Sequence, residues 1–437
     1  MRKILFSAML ALLWFGVLGA AAAQANATKA EEVLHTWYGL GLELVWHTPT
    51  YSPPVASRSF AYLGVTAFEA VASGSDELQT LSGQLHGLKT VPQREAGKTY
   101  DEAVVMQAAL AFSVQHFFEN TGPSGQNAMA KLEAKLREKV SAGVPADVLA
   151  RSEAHGRAVA EHVLAWSQDD GGAVIETLGF PQSYELPKGP SHWVPTSVIA
   201  LQQKPLLPNW GKNRTFAMPE GTSCALPSHP EYSEDKDSAF YKEALEVYEA
   251  KQNLTPERRA IARFWADDAM LSMTPPGHWI SIALQIMDRD KVGLEKNVDT
   301  LARLGVAVAD GFIGCWQAKY QYDLIRPISY IRRVIDPKWE PLLNTPPFPE
   351  YPSGHSTQSG AAEIVLTNLF GENFAFEDKT GSHAGLAPRT FPSFRAAADD
   401  AGISRMYGGI HFRAAIERGL EQGRCIGAFT NALRTRR

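Results

Sequence analysis

Apolar residues recur three and four positions apart along most of this 437-residue chain. The two-residue alternation of a half-buried strand is almost absent. Leu34, Trp37, Tyr38, Leu42, Val45 and Trp46 hold the helical period within 28–74, with a break at Tyr51-Ser52-Pro53-Pro54. The same spacing predicts helices over 98–118, 127–140, 146–167, 238–252, 255–272, 276–290, 297–320, 356–370, 391–401 and 412–434. Asp237 or Ser238 can cap the helix at 238, and Thr255-Pro256-Glu257 is a strong start for its neighbour. Such a chain can bury its apolar stripes only helix against helix. The expected fold class is all-α, as two packed helical bundles with long proline-rich connecting loops. The boundaries expected are an N-terminal bundle over 26–170, a proline-rich segment over 171–237 and a C-terminal bundle over 238–437. Nine prolines fall between Pro181 and Pro230. A loop of that length is either a rim or lid around a site or an inter-domain connector. A second proline-rich stretch covers 336–354.

Charge and composition narrow the possible functions. With 42 basic and 47 acidic residues the net charge is −5, which gives no basic field for nucleic acid. Three cysteines, Cys224, Cys315 and Cys425, allow at most one disulfide and leave one sulfur over. Residues 1–25 read as a signal peptide: Arg2 and Lys3, an apolar run, then Ala23 and Ala25 at alternate positions as a cleavage site. A membrane anchor is the other reading, and the small-residue ending favours cleavage. No second long apolar run follows, so the expectation is an exported protein, periplasmic or secreted, with no membrane segment after cleavage.

Three segments carry the chemistry. In Lys319-Tyr-Gln-Tyr-Asp-Leu-Ile-Arg326-Pro327 the two cations lie two helical turns apart and face one way, and Pro327 ends the helix. In Tyr351-Pro-Ser353-Gly354-His355-Ser356 a turn opens into a helix, and its backbone amides can cradle an anion. In Ser404-Arg405-Met-Tyr-Gly408-Gly409-Ile-His411 an arginine and a histidine flank a double glycine. Singly, each has a plain structural explanation: a solvated face, a capping serine, a core histidine. Together they supply three cations, neutral donors at Ser353 and Gly354, and two histidines. That set suits a tetrahedral oxyanion that becomes five-coordinate.

The pattern Lys-x6-Arg-Pro, Pro-Ser-Gly-His, Ser-Arg-x5-His resembles the signature shared by vanadium-dependent haloperoxidases and soluble class A-type acid phosphatases. The resemblance covers roughly 315–425. Phe264-Trp-Ala-Asp-Asp268, Thr274-Pro-Pro-Gly-His-Trp279 and Thr345-Pro-Pro-Phe348-Pro-Glu-Tyr-Pro-Ser-Gly-His355 look like the bacterial haloperoxidase branch. Upstream, only Ser52 to Arg58 matches beyond general helical character.

The resemblance implies vanadate as cofactor. His411 would bind the metal, and Lys319, Arg326, Ser353, Gly354 and Arg405 would hold the vanadate oxygens. His355 would be the acid–base for hydrogen peroxide, Lys319 would polarise the peroxide, and Trp316 and Phe348 would line the halide side. Substrates would be peroxide, a halide and a small organic acceptor, with iodide favoured, then bromide; phosphate would compete with vanadate. One departure stands out. The signature often places an aspartate four residues after the last histidine, where this chain has Ala415. His411 must then find its partner elsewhere, for example at a backbone carbonyl, or hold the metal less tightly. A periplasmic acid phosphatase using the same pocket, with His411 as nucleophile, is the alternative. An oxyanion-binding protein without turnover is a third reading, supported by Ala415 alone.

Overall fold

The computed structural model describes residues 26–437, so the leader expected at 1–25 lies outside the described residues. Among the described residues thirteen α-helices and one two-stranded hairpin form the regular structure, an all-α fold as expected. The N-terminal half holds α1 (26–46), α2 (Pro53–Ala72), α3 (Glu102–Phe117), α4 (Pro123–Ser141) and α5 (Ala146–Ser167). After the proline-rich segment come α6 (Ala239–Gln252), α7 (Pro256–Phe264), α8 (Thr274–Asp290), α9 (Leu294–Tyr322) and α10 (Pro327–Val334). The chain ends with α11 (Gly354–Phe370), the hairpin β1 (Phe376–Asp378) and β2 (Arg389–Phe391), α12 (Phe394–Tyr407) and α13 (Arg413–Asn431).

Local chemistry sets many of these starts. Asp101, Ser238, Thr255, Ser353 and Ser393 each accept a backbone N–H with the side chain at a helix N-terminus. Pro53, Pro123, Pro256 and Pro327 begin helices where the missing N–H costs nothing. The 29-residue α9 is buried on almost every side from Leu294 to Lys319, as a helix surrounded by others must be. It joins the halves: α2 crosses it with Gly64 on Leu301 O and Gly305 on Phe60 O, where a Cβ would come within 2.7 and 2.9 Å. One apolar cluster therefore runs from α1 through α9 to α12 and α13.

Several details depart from the expectations: α9 ends at Tyr322 with Asp323 left-handed (φ 46°), so Arg326 lies outside it and Pro327 opens α10, a helix no spacing announced, rather than ending α9. The helix expected over 255–272 stops at Phe264, because Asp267 (φ 48°) and Met270 (φ 65°) take left-handed backbone that no helix accommodates. The hairpin pairs Phe376 with Phe391 over three residues a side, too short to leave an alternation signal. Over 168–237 the helical elements are three brief 3₁₀ turns. This segment is tied down hard. Phe216, Ala217 and Met218 donate their N–H groups to the buried Asp310 carboxylate. Cys224 forms a disulfide with Cys425 on α13, and Cys315 is the free, buried sulfur.

The close approach of α11 and α13 fixes the start of α11. A Cβ on Gly423 would lie 1.9 Å from Thr357 O, so only glycine allows the crossing. Gly423→Ala should therefore destabilise the fold by about 1–3 kcal/mol through overpacking. Scanning calorimetry should show a lower melting temperature; an unchanged one would mean that the helices do not cross this closely.

Candidate active site

Lys319, Arg326 and Arg405 come from the end of α9, the residue before α10 and the last turn of α12, and all three are buried. Each is held by backbone carbonyls. Lys319 Nζ donates to Pro349 O (2.9 Å), Glu350 O (3.0 Å) and Pro352 O. Arg326 donates through Nε to Phe348 O (3.0 Å) and through one terminal nitrogen to Ile410 O (2.9 Å). Arg405 donates to Trp265 O (2.5 Å). Burial lowers Lys319 to about 7, with Arg326 adding to the fall, and lowers Arg326 to about 9 and Arg405 to about 10. Both guanidinium groups thus stay charged at neutral pH. The second terminal nitrogen of Arg326 and Nε of Arg405 are buried without a hydrogen-bond partner. Buried cationic donors left unsatisfied call for an anionic acceptor.

His411 lies in the turn before α13, 2% exposed. Its Nε2 is 3.1 Å from the Arg326 nitrogen that also reaches Ile410 O. Its Nδ1 is 2.8 Å from Oε1 of Glu350, which also accepts the Phe412 N–H at 2.8 Å. Burial, then Arg326, Lys319 and Arg405, drive its pKa well below the usual range, so the ring is neutral. Burial pushes the Glu350 carboxyl up to about 8.

His355, in the first turn of α11, is the second histidine of the cluster. Its Nε2 lies 3.7 Å from Asp267 Oδ2 and has no hydrogen-bond partner. Burial and the nearby Arg405 lower its pKa to about 4, against the pull of Asp267, so this imidazole can accept a proton at neutral pH. Asp267 is itself clamped. His278 Nδ1 is 3.0 Å from both its oxygens, and His278 Nε2 is 2.8 Å from Asp378 Oδ2. Burial opposes charge on His278, but Asp267 and Asp378 outweigh it and hold the imidazolium to about pH 10.

On the other side of Lys319 stand Trp316 and Phe348, ring centroids 4.9 Å apart. Lys319 Nζ is 5.2 Å from the Phe348 centroid, and Arg326 also covers that ring. The proline-rich segment reaches this wall: Leu206 O accepts the Trp316 Nε1–H (3.2 Å) and the Tyr320 hydroxyl (2.6 Å), and Leu206 N–H donates to Pro347 O (2.8 Å). Here it acts as a rim against the site. Ser353 and Gly354 open α11 beneath the cations, where first-turn amides have no intrahelical partner.

The fold thus gathers Lys319, Arg326, Ser353, Gly354, His355, Arg405, His411, Trp316 and Phe348 at one place. Sequence reasoning assigned no role to three other participants. Glu350 was legible only as an acid inside an apolar, proline-rich motif. Asp267 stood within Phe264-Trp-Ala-Asp-Asp268, and Asp378 lay in the unforeseen hairpin. Position 415, where the aspartate is missing, faces an apolar cluster with Leu324, Ile325, Tyr351 and Phe412. Among the described residues no group of three or more His, Cys, Asp or Glu side chains could hold a metal cation. The donor set, buried basic side chains with unsatisfied N–H groups beside a neutral imidazole, fits a bound oxyanion.

These features define an all-α protein with a buried cluster of two arginines, a lysine and two histidines, in which N–H groups of both arginines lack a partner. A family model described as the VCPO second helical-bundle domain matches residues 299–436. A solved bacterial vanadium-dependent iodoperoxidase is 38% identical, covers 93% of this chain and 97% of its own, and superposes with a TM-score of 0.84. The chain belongs to the vanadium-dependent haloperoxidase family. A holo-type bacterial vanadium-dependent chloroperoxidase shares the fold at 17% identity, covering 89% of this chain and 92% of its own, with a TM-score of 0.68. The vanadium chloroperoxidase of Curvularia inaequalis is 28% identical over 401 residues, covering 76% of this chain. The chain spans 65% of the length of that curated relative.

Removing the clamp has a defined pH signature. His278 keeps its proton to about pH 10 when folded, against an ordinary 6.5. Its charge therefore stabilises the fold fully below about pH 6.5, and that contribution fades as pH rises through 10. His278→Ala, which leaves two buried carboxylates unpaired, should cost about 3–5 kcal/mol near pH 6. Denaturant unfolding should show the gap to wild type narrowing as pH approaches 10; a constant gap would refute a charged His278.

Proposed function

We propose that the protein is a vanadate-dependent haloperoxidase that uses hydrogen peroxide to oxidise a halide to hypohalous acid. The observation that carries this reading is the set of buried cations with unsatisfied donors around a neutral His411. Lys319, Arg326, Arg405, Ser353 and the first-turn amides at Gly354 would hold the vanadate oxygens, and His411 Nε2 would bind the metal. Vanadate would supply a Lewis-acid centre that activates peroxide without changing its own oxidation state. His355 Nε2, neutral and unpartnered, would take the peroxide proton and return it later. Lys319 would bring positive charge to the peroxide. Trp316 and Phe348 would exclude water on the halide side. Phosphate, equally tetrahedral, would compete for the same donors and slow loading. The product oxidant would react with a small organic acceptor. Export is part of this proposal, and the Cys224–Cys425 disulfide, of a kind that persists in oxidising compartments, supports it.

Vanadium analysis with parallel peroxide–iodide and phosphomonoester assays tests the reading. Vanadium-dependent iodide oxidation is expected; turnover of the phosphomonoester alone would favour the acid phosphatase alternative.

The histidines should separate in their effects. His411→Ala should abolish vanadate retention after gel filtration. His355→Ala should retain vanadate but lose about 10²–10⁴-fold in turnover, the usual worth of a positioned proton acceptor. Equal vanadate loss in both variants would contradict this division.

Among halides we expect iodide to be the best substrate, bromide weaker and chloride poor. Iodide gives up electrons most readily, and the Trp316–Phe348 wall suits a large, weakly hydrated anion. Steady-state rates across the series with peroxide and added vanadate check this, and strong chlorination of a trap dye would overturn it.

A further inference from the structure

In the related signature a carboxylate follows the metal-binding histidine by one helical turn, whereas here that position is Ala415, fully buried in an apolar cluster. We infer that Glu350, from the loop before α11, supplies the displaced carboxylate and is the positioning residue that fixes the tautomer and orientation of His411. This deepens the proposed function and rests on its reading of His411 as the metal-binding residue.

A guanidinium has only N–H donors, so the Arg326 nitrogen 3.1 Å from His411 Nε2 requires a lone pair at Nε2. A neutral imidazole then carries its proton on Nδ1, and that N–H donates to Glu350 Oε1 at 2.8 Å. The same oxygen accepts the backbone N–H of the next residue, Phe412, at 2.8 Å. One carboxylate oxygen thus holds both the ring and the backbone that carries it. Ring rotation would break the hydrogen bonds on both sides of the imidazole. Nε2 is left as an unprotonated nitrogen on the side of the cations, the form a metal centre needs. Glu350 is itself immobile: it is 0% exposed, its carbonyl accepts from Lys319 Nζ, and its N–H donates to Leu324 O.

The substitution has a packing reason. Position 415 lies in an apolar cluster with Leu324, Ile325, Tyr351 and Phe412, where a carboxylate would be desolvated. Position 350 instead brings a carboxyl oxygen to Nδ1 of His411, on the loop whose carbonyls hold Lys319. The loop that satisfies Lys319 through its carbonyls therefore also sets the histidine.

The test uses the full chain labelled with ¹⁵N-histidine, with the His411 signals assigned by their loss in His411→Gln. Long-range ¹H–¹⁵N correlation on the vanadate-free wild type should show a single tautomer protonated at Nδ1. Glu350→Ala should lose that preference and bind orthovanadate about 10–100-fold more weakly in equilibrium dialysis, the usual cost of losing such a partner. A wild-type His411 protonated at Nε2 overturns the inference, and this measurement decides even if Glu350→Ala does not fold. A folded Glu350→Ala with the wild-type tautomer and affinity overturns it as well. If wild type binds no orthovanadate, the proposed function fails instead, while the tautomer still reports on Glu350.

Discussion

The arrangement depends on keeping three cations, Lys319, Arg326 and Arg405, inside a helical core. Desolvated like charges repel, and a helix gives them little help, because its own carbonyls are committed to its N–H groups. The carbonyls that hold them come from backbone outside the helices: Pro349, Glu350 and Pro352 for Lys319, Phe348 and Ile410 for Arg326, Trp265 for Arg405. This gives the irregular stretches a physical purpose. The proline-rich 336–354, the strained 265–273 and the double-glycine turn at 408–411 are the places where the chain can offer unpaired oxygens to a buried charge. They leave one nitrogen of Arg326 and one of Arg405 unsatisfied, the donors on which the proposed oxyanion binding rests.

The acidic groups match them: two buried carboxyl groups stand beside the histidines, one for each. Glu350 takes His411 by Nδ1, and Asp267 stands 3.7 Å from His355. The two imidazoles consequently differ in environment, one packed between an arginine and a glutamate, the other slightly exposed and unpartnered at Nε2. Asp267 would be an uncompensated buried charge without His278, whose second nitrogen leans on Asp378 from the hairpin. The hairpin, small as it is, thus connects to the site through one aspartate.

Much of this was legible in the residues. The three-and-four spacing predicted most of the helices, though not α10, because amphipathic period survives in any helix that buries one face. Lys319 and Arg326, Ser353 to His355, and Arg405 to His411 were recognisable because each lies in a short local motif. The prediction failed where side chains did not set the backbone. Nothing in the 255–272 pattern announces left-handed backbone at Asp267 and Met270, and a three-residue strand carries too few positions for alternation. Glu350 escaped notice because its role depends on a ring sixty-one positions later.

By itself the sequence determined the fold class, the positions of most helices, and the basic residues and two histidines of the site, though not its acidic partners. These follow from periodicity and local motif, which act over a few residues. Tertiary structure alone decided which carboxylate serves which histidine, which two of three cysteines pair, and how the proline-rich segment lies against Trp316. Those are contacts between segments far apart in the chain, fixed by how helices such as α11 and α13 pack, and packing depends on the whole set of shapes at once.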